Sequence, residues 1–266
     1  MKVFLSCDME GTSGISDWDE TEKKNAEYAP YVQRMQQEVA AACEGINQAH
    51  PGSEIVIKDA HDSTRNLDHA LLPRNVTLIR GWGASPYSMM FGIDRTFDAA
   101  VFTGYHCGAG YAGNPLAHTM NLTVHKLWIN GTLGSEFLIN YYAALYNGVP
   151  VTLVTGDAAL CHSVTEIDPE ICTVPTNTCL GSTVRAEHPA VIQERIKATA
   201  AESLSRIGKV SMELPDIFES EVCFRSHINA VKASFYPGAN IIDAYTVGYS
   251  TEDYFEFLRF FMFTVG

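Results

Sequence analysis

The stretch KVFLSCDMEGTSG (residues 2–14) joins an apolar run to two acids and two glycines, and it sets the pattern for the rest of the chain. The apolar run predicts a buried β-strand. Residues i and i+2 of a strand point to the same face, so the end of this strand would place Asp8 and Glu10 side by side. A second apolar run follows at EIVIKD (54–59), and the apolar residues between the two runs are three or four positions apart, at Val32, Met35, Val39, Cys43 and Ile46. This order predicts a β-α-β unit.

Further strand-like runs alternate with helical patterns, at TLIRG (77–81), AAVFTGYH (99–106) and VPVTLVTGD (149–157). Because these runs are apolar on both faces, we expect an α/β fold whose mostly parallel central sheet has helices on both faces. HTMNLTVHKLWING (118–131) alternates and ends in Asn-Gly, which predicts a hairpin added to that sheet. LGSEFLINYYAALYNG (133–148) predicts a helix that ends at its glycine.

Two regions are predicted: residues 1–159 as an α/β metal-binding catalytic domain, and residues 160–266 as a smaller α+β C-terminal subdomain for oligomerisation and pocket shaping. Within the second region, a helix is expected from about 188 to 207. SEVCFRSHINAVKASFY (220–236) predicts antiparallel strands, and the aromatic stretch 255–266 predicts a core or subunit-interface helix.

Composition limits the possible partners. The formal charge is -13, and only 18 Lys and Arg residues are spread along the chain, which argues against nucleic acid. A cationic or neutral small substrate fits better. The seven cysteines form no C-x-x-C pair, which favours a reducing compartment. With no signal-like segment and no bilayer-length apolar run, we expect a cytoplasmic protein with no membrane partner.

Potential metal ligands follow three of the predicted strands: Asp8 and Glu10 after the first, Asp59 and His61 after the second, and His106 at the end of AAVFTGYH. Ligands bind beyond the carboxyl ends of strands in open α/β sheets, where these side chains would meet. Two packed carboxylates repel each other unless a cation neutralises them. Acids and imidazoles together suit Zn²⁺ or, less selectively, Mn²⁺ or Co²⁺. Each signal alone is weak, because paired acids usually cap helices or face solvent, but their coincidence at three strand ends favours a metal site.

Five ordered motifs resemble the M55 peptidases, the zinc-dependent D-aminopeptidases: DMEGTSG (8–14), KDAHDSTRNL (58–67), FTGYHCGAG (102–110), LAHTMN (116–121) and GSEFLINYY (134–142). The resemblance implies two zinc ions per subunit. The implied metal ligands are Asp8, Glu10, His61, His106 and Glu136, with Asp8 bridging the two ions. It also implies that His118, in an element that reads AHTM here, is catalytic. From the residues alone, Glu136 is predicted to be solvated on a helix face, and Asp59 is a candidate to orient His61 or the bridging water.

The function implied by this resemblance is a metal-dependent aminopeptidase acting on short, D-residue-containing peptides. Two alternatives remain: a related metal-dependent amidohydrolase or phosphoesterase, and a noncatalytic metal-binding assembly subunit. The scarcity of basic residues near the motifs disfavours phosphate esters. The resemblance further implies a homo-oligomer, with a decameric ring as the expected assembly.

Overall fold

The computed structural model describes residues 1–209 and 213–266, and in this part of the chain twelve strands form two sheets. The strands are β1 (Lys2–Cys7), β2 (Glu54–Asp59), β3 (Val76–Ile79), β4 (Ala99–Tyr105), β5 (Val124–Ile129), β6 (Thr132–Leu133), β7 (Val151–Asp157), β8 (Cys172–Leu180), β9 (Thr183–Ala186), β10 (Phe218–Phe224), β11 (Asn240–Ile241) and β12 (Thr246–Thr251). The helices are α1 (Tyr28–Ala49), α2 (Glu136–Tyr146), α3 (Ala158–Ile167), α4 (Pro189–Ser203), α5 (His227–Ala233) and α6 (Tyr254–Thr264).

The first sheet has the order β3-β2-β1-β4-β7-β8-β9, and every pair except β8-β9 is parallel. This confirms the predicted α/β class with a mostly parallel sheet. The alternation along β1 separates two cores: Val3 and Leu5 pack on the side of α1 and α4, whereas Phe4 packs on the side of α2 and α6. Helices therefore cover both faces, as the uninterrupted apolar runs require.

The second sheet is antiparallel, in the order β11-β12-β10-β5-β6. It contains the hairpin predicted at 118–131, so the expectation that this hairpin joins the parallel sheet is wrong. The turn itself is as expected, because Asn130 and Gly131 both have positive φ, at 50° and 75°. The strand partner was not visible in the sequence: β5 pairs with β10, which lies about 90 residues further along the chain.

The prediction of strands throughout 220–236 is half wrong. β10 ends at Phe224, and His227–Ala233 forms the helix α5. The buried residues of that helix, Ala230 and Ala233, are three positions apart, which is a helical spacing that the β-branched neighbours obscure. The C-terminal aromatic stretch forms α6, as expected.

The two sheets interleave along the chain. β8, β9 and α4 belong with the parallel sheet although they lie beyond residue 159, and β5 and β6 belong to the second sheet although they lie before it. Residue 159 therefore does not mark a boundary between the two sheets. The division of the chain into two folding units at this point stays a prediction. Among the described residues, no helix combines the length and the apolar character needed to cross a bilayer.

Candidate metal centre

The segment that follows β1 lies across the end of β4, at the carboxyl ends of the parallel strands. Asp8 N donates a hydrogen bond to Thr103 O at 2.8 Å, and Gly11 N donates to Gly104 O at 2.8 Å. A Cβ on Gly11 would lie 1.7 Å from Tyr105 O, so only glycine allows this approach. The close contact holds the residues after β1 against the end of β4.

All six predicted site residues meet at the carboxyl ends of these strands. Asp8 and Glu10 follow β1, His61 follows β2, and His106 follows β4. Glu136 is the first residue of α2, and His118 lies in the loop before β5; its side chain is 11% exposed, and the other five residues are buried.

Asp8 lies at the centre of the cluster. Its Oδ1 is 3.3 Å from His61 Nδ1, and its Oδ2 is 3.4 Å from His106 Nε2. Glu10 Oε2 approaches the same His61 nitrogen at 3.1 Å, and Glu136 Oε2 approaches the same His106 nitrogen at 3.4 Å. The cluster thus has two halves, each with one imidazole and one glutamate, and Asp8 faces both.

Each imidazole uses its outer nitrogen to hold a backbone carbonyl. His61 Nε2 donates to Thr21 O, His106 Nδ1 donates to Cys107 O, and His118 Nδ1 donates to Leu116 O, each at 2.9 Å. Since a carbonyl only accepts, the proton of each neutral ring lies on the outer nitrogen, and the inner nitrogen directs a lone pair toward the carboxylates.

When the rings are neutral, acceptors therefore face acceptors inside the cluster. Within the described residues, Glu10 Oε2 and His106 Nε2 are buried without any hydrogen-bond partner. Buried polar atoms of this kind are rare unless an ion or a proton lies between them. Carboxylate oxygens and imidazole nitrogens, each oriented by a bond from the far side of the ring, are the ligand set that Zn²⁺ prefers, so the residues fit this metal.

Burial disfavours a charged imidazole, but Glu10 and Glu136 outweigh it and raise the pKa of His61 and His106 well above the usual value. Without a metal, a proton therefore takes its place on each inner nitrogen. Burial opposes the ionisation of Glu10, but the neighbouring His61 outweighs it and holds the pKa of Glu10 well below its usual value. Burial likewise opposes the ionisation of Glu136, and His106 lowers its pKa to about 2. Burial and the charge of Glu10 raise the pKa of Asp8. Two of the three buried acids thus favour the charged form, which a cation between them would stabilise.

Asp59 supports the backbone rather than the imidazole. Its carboxylate accepts hydrogen bonds from the backbone N–H groups of Asn66 and Leu67, at 2.6 and 2.9 Å, and from Asn66 Nδ2 at 2.8 Å. Asn66 Nδ2 also donates to His61 O at 2.7 Å. Asp59 therefore fixes the loop that carries His61 and orients this residue through its backbone, with no described hydrogen bond to the ring itself.

The prediction from residue pattern alone that Glu136 is solvated is wrong. Ser135 caps α2, and residues 136–144 of this helix are all buried. Met120 N donates to Glu136 Oε1 at 2.6 Å, because the loop that carries His118 folds over the start of the helix. The near-continuous apolar sequence of α2 was the available signal, since it leaves the helix no solvent face.

A cavity of about 660 Å³ opens beside the cluster. One side of it carries the acids and imidazoles, including His118, and the rest is largely apolar. The apolar lining includes Trp18, Trp82, Phe91, Met120, Phe261 and Met262. Its size is in the range of small-ligand pockets.

Fold and site together define an α/β protein with a buried carboxylate–imidazole centre at the carboxyl ends of parallel strands. The chain belongs to the M55 peptidase family, because the family model described as D-aminopeptidase matches residues 1–263. This membership confirms the resemblance seen in the five motifs and assigns the chain to a family of hydrolases.

The chain is similar to a known enzyme and to a solved structure. A D-aminopeptidase of Bacillus subtilis (strain 168) is 30% identical over 261 residues, which cover 96% of this chain and 93% of the relative. A solved structure, described as the Zn-dependent D-aminopeptidase DppA from Bacillus subtilis, a self-compartmentalizing protease, superposes with a TM-score of 0.92 at 28% identity. The superposition covers 98% of this chain and 96% of that structure.

Proposed function

We propose that the chain is a zinc-dependent D-aminopeptidase that removes N-terminal residues from short peptides at a dinuclear site. The observation that carries this proposal is the buried cluster in which the inner imidazole nitrogens of His61 and His106 face carboxylates around Asp8. Membership of a D-aminopeptidase family and the description of the structural relative as Zn-dependent support the same reading.

The two halves of the cluster supply a ligand set for each ion. Glu10 and His61 would hold one zinc, His106 and Glu136 would hold the other, and Asp8 would contribute one oxygen to each. When bound, a zinc pair lowers the pKa of a coordinated water and polarises the scissile carbonyl.

His118 is positioned to move a proton. Its Nδ1–H is held by Leu116 O, so its Nε2 is free to accept and then donate, and this atom lies 3.6 Å from Glu136 Oε1 at the cavity wall. Trp18 packs edge-on against the ring at 5.2 Å and fixes its plane. Protonation of the leaving nitrogen by a group placed in this way typically contributes about 10²–10⁴ in rate.

The cavity suits a short peptide better than a folded chain or a phosphate ester. Its volume of about 660 Å³ accommodates a ligand of a few residues. None of the described residues that line it is a Lys or an Arg, the side chains that usually bind phosphate. This favours an amide substrate over the phosphoesterase alternative.

The structural relative is described as self-compartmentalizing, and we propose that this chain also forms a homo-oligomer, with a decameric ring as the expected form. Large apolar side chains are exposed on α5, on the segment after it and on α6, where Ile228 is 66%, Phe235 82% and Phe263 61% exposed.

We further propose a reducing compartment such as the cytoplasm, since all seven cysteines are free.

An assay of matched D- and L-aminoacyl amides and dipeptides, with chelation and metal add-back, tests the function. We expect hydrolysis of D-substrates that is lost on chelation and restored by zinc. Equal or faster hydrolysis of the L-series would contradict the stereochemical assignment. Bound metal without hydrolysis of any amide or ester would favour the noncatalytic alternative.

A further inference from the structure

We infer that one face of α6 forms the pocket for an uncharged, apolar substrate side chain next to the scissile amide. This inference rests on the proposed function and specifies its substrate class: peptides with an aliphatic or aromatic residue at that position, and not an acidic one.

Three residues of α6 and the residue that caps its C-terminus line the cavity at positions i, i+3, i+4 and i+7: Leu258, Phe261, Met262 and Val265. This spacing places them on one side of the helix. The same helix carries Phe263 on its exposed side, away from the cavity. The side of α6 that lines the cavity beside the metal centre is therefore entirely apolar.

The apolar side is fixed relative to the reacting groups. Asn121 Nδ2 donates to Val265 O at 2.6 Å, which ties the end of α6 to the loop that carries His118. At the other end of the helix, Tyr254 Oη donates to Ile139 O at 2.6 Å, and Ile139 itself lines the cavity on α2. A wall held at both ends can select between side chains, since it does not collapse around a smaller one.

The charges around the cavity exclude an acidic side chain. Apart from the acids of the metal centre, the charged residues that line the described cavity are Glu22 and Asp62, both exposed at its mouth. Lys58, which is buried on β2, does not line the cavity, and its Nζ donates to the carbonyls of Asp59 and Gly81. A carboxylate packed against α6 would lose water and find no Lys or Arg among the described lining residues to pair with.

The inference is tested on amides of D-alanine, D-leucine, D-phenylalanine and D-glutamate with the zinc-loaded protein. In a hydrophobic pocket, one methylene changes kcat/KM by about 10-fold or more, so we expect D-leucine and D-phenylalanine to exceed D-alanine by at least this factor. D-Glutamate should be the poorest of the four. Hydrolysis with D-alanine or D-glutamate ahead of D-leucine would overturn the inference while leaving the proposed function intact.

A pair of matched variants locates the effect on α6. Met262→Lys places an ammonium group in the cavity and should raise the ratio of kcat/KM for D-glutamate over D-leucine by at least about 10-fold. Leu180→Lys adds the same charge at an exposed position of β8 that does not line the cavity, and it should leave the ratio unchanged. An unchanged ratio in Met262→Lys, or equal changes in both variants, would overturn the assignment.

Binding provides a readout that does not depend on turnover. Calorimetric titration with D-leucine hydroxamate and D-glutamate hydroxamate should show tighter binding of the leucine compound, by about 10-fold or more. Met262→Lys should reduce this ratio of dissociation constants. If no amide is hydrolysed, the proposed function fails, and the ratio of these two dissociation constants still decides whether α6 selects apolar side chains.

Discussion

The imidazole rings of His106 and His118 stack on each other, with centroids 4.4 Å apart and planes inclined by 11°. Both direct Nε2 toward the carboxylate of Glu136, at 3.4 and 3.6 Å. His106 is fully buried between two acids, whereas His118 faces the cavity. This difference in position is why we assign the first to holding metal and the second to proton transfer.

Replacing His118 by Asn should separate these two roles. If the proposed role of His118 is correct, we expect kcat to fall by about 10²–10⁴ with the metal content unchanged, because the proposal has this ring move a proton and not hold an ion. Steady-state kinetics and metal analysis of the same preparation provide the check. His125→Asn, at an exposed position on β5, is the matched control. A loss of one ion together with activity would make His118 a ligand instead.

Gly11→Ala tests the close approach of the two strand ends. The new Cβ would overlap Tyr105 O, and we expect the free energy of unfolding to drop by about 3 kcal/mol or more. Gly52→Ala is the control: Gly52 has a φ of +86° but an open surrounding, so this change should cost only about 1–2 kcal/mol. Urea unfolding of both variants measures the difference, and equal losses would show that the contact is relaxed in solution.

Asn177 on β8 holds the loop that follows Glu10. Its Oδ1 accepts from Gly14 N at 2.7 Å, and its Nδ2 donates to Thr12 O at 2.9 Å. Asn177→Leu removes the partner of the Gly14 N–H and leaves Thr12 O with only its bond from Ile15 N, which should cost about 1–3 kcal/mol of stability and weaken metal binding. Thr178→Leu, at the exposed neighbouring position, should do neither. Thermal unfolding with and without added zinc distinguishes the two variants. A metal affinity at the wild-type level in Asn177→Leu would show that this loop does not contribute to metal binding.

Glu38 should make stability depend on pH. The residue is buried on α1, Ser13 N donates to its Oε1 at 3.0 Å, and its Oε2 has no described hydrogen-bond partner. Burial raises the pKa of Glu38 to about 7, against 4.5 for an ordinary glutamate. Below its ordinary pKa the group is protonated in both the folded and the unfolded chain. Between the two pKa values the unfolded chain loses this proton while the folded chain keeps it. The free energy of unfolding therefore falls as the pH rises from about 4.5 to about 7, and the contribution of Glu38 to stability is lost.

From about pH 4 to about pH 8, the free energy of unfolding of the wild type should fall by about 3 kcal/mol relative to Glu38→Gln. The comparison cancels the other titrating groups, since both proteins share them. Denaturant titrations at several pH values check this prediction. Parallel profiles for the two proteins would mean that Glu38 is ionised or hydrated in the folded state.

The parallel sheet and the strand-end ligands could be predicted because both depend on local patterns. Apolar runs mark strands, and a period of two brings Asp8 and Glu10 to one face. The second sheet depends on the pairing of β5 with β10, and no local pattern specifies a partner so distant in the chain. The burial of Glu136 could not be predicted from the residue pattern for a related reason. It is produced by the loop around Met120, which folds over α2.

Zinc content per chain is the most direct measure of whether five side chains hold a pair of ions. We expect wild-type protein to bind two zinc ions per chain, Glu10→Gln and Glu136→Gln to bind about one each, and Asp8→Asn to bind almost none, with all three variants folded. A wild type that binds no zinc, or an Asp8→Asn protein that still binds two ions, would contradict the dinuclear site.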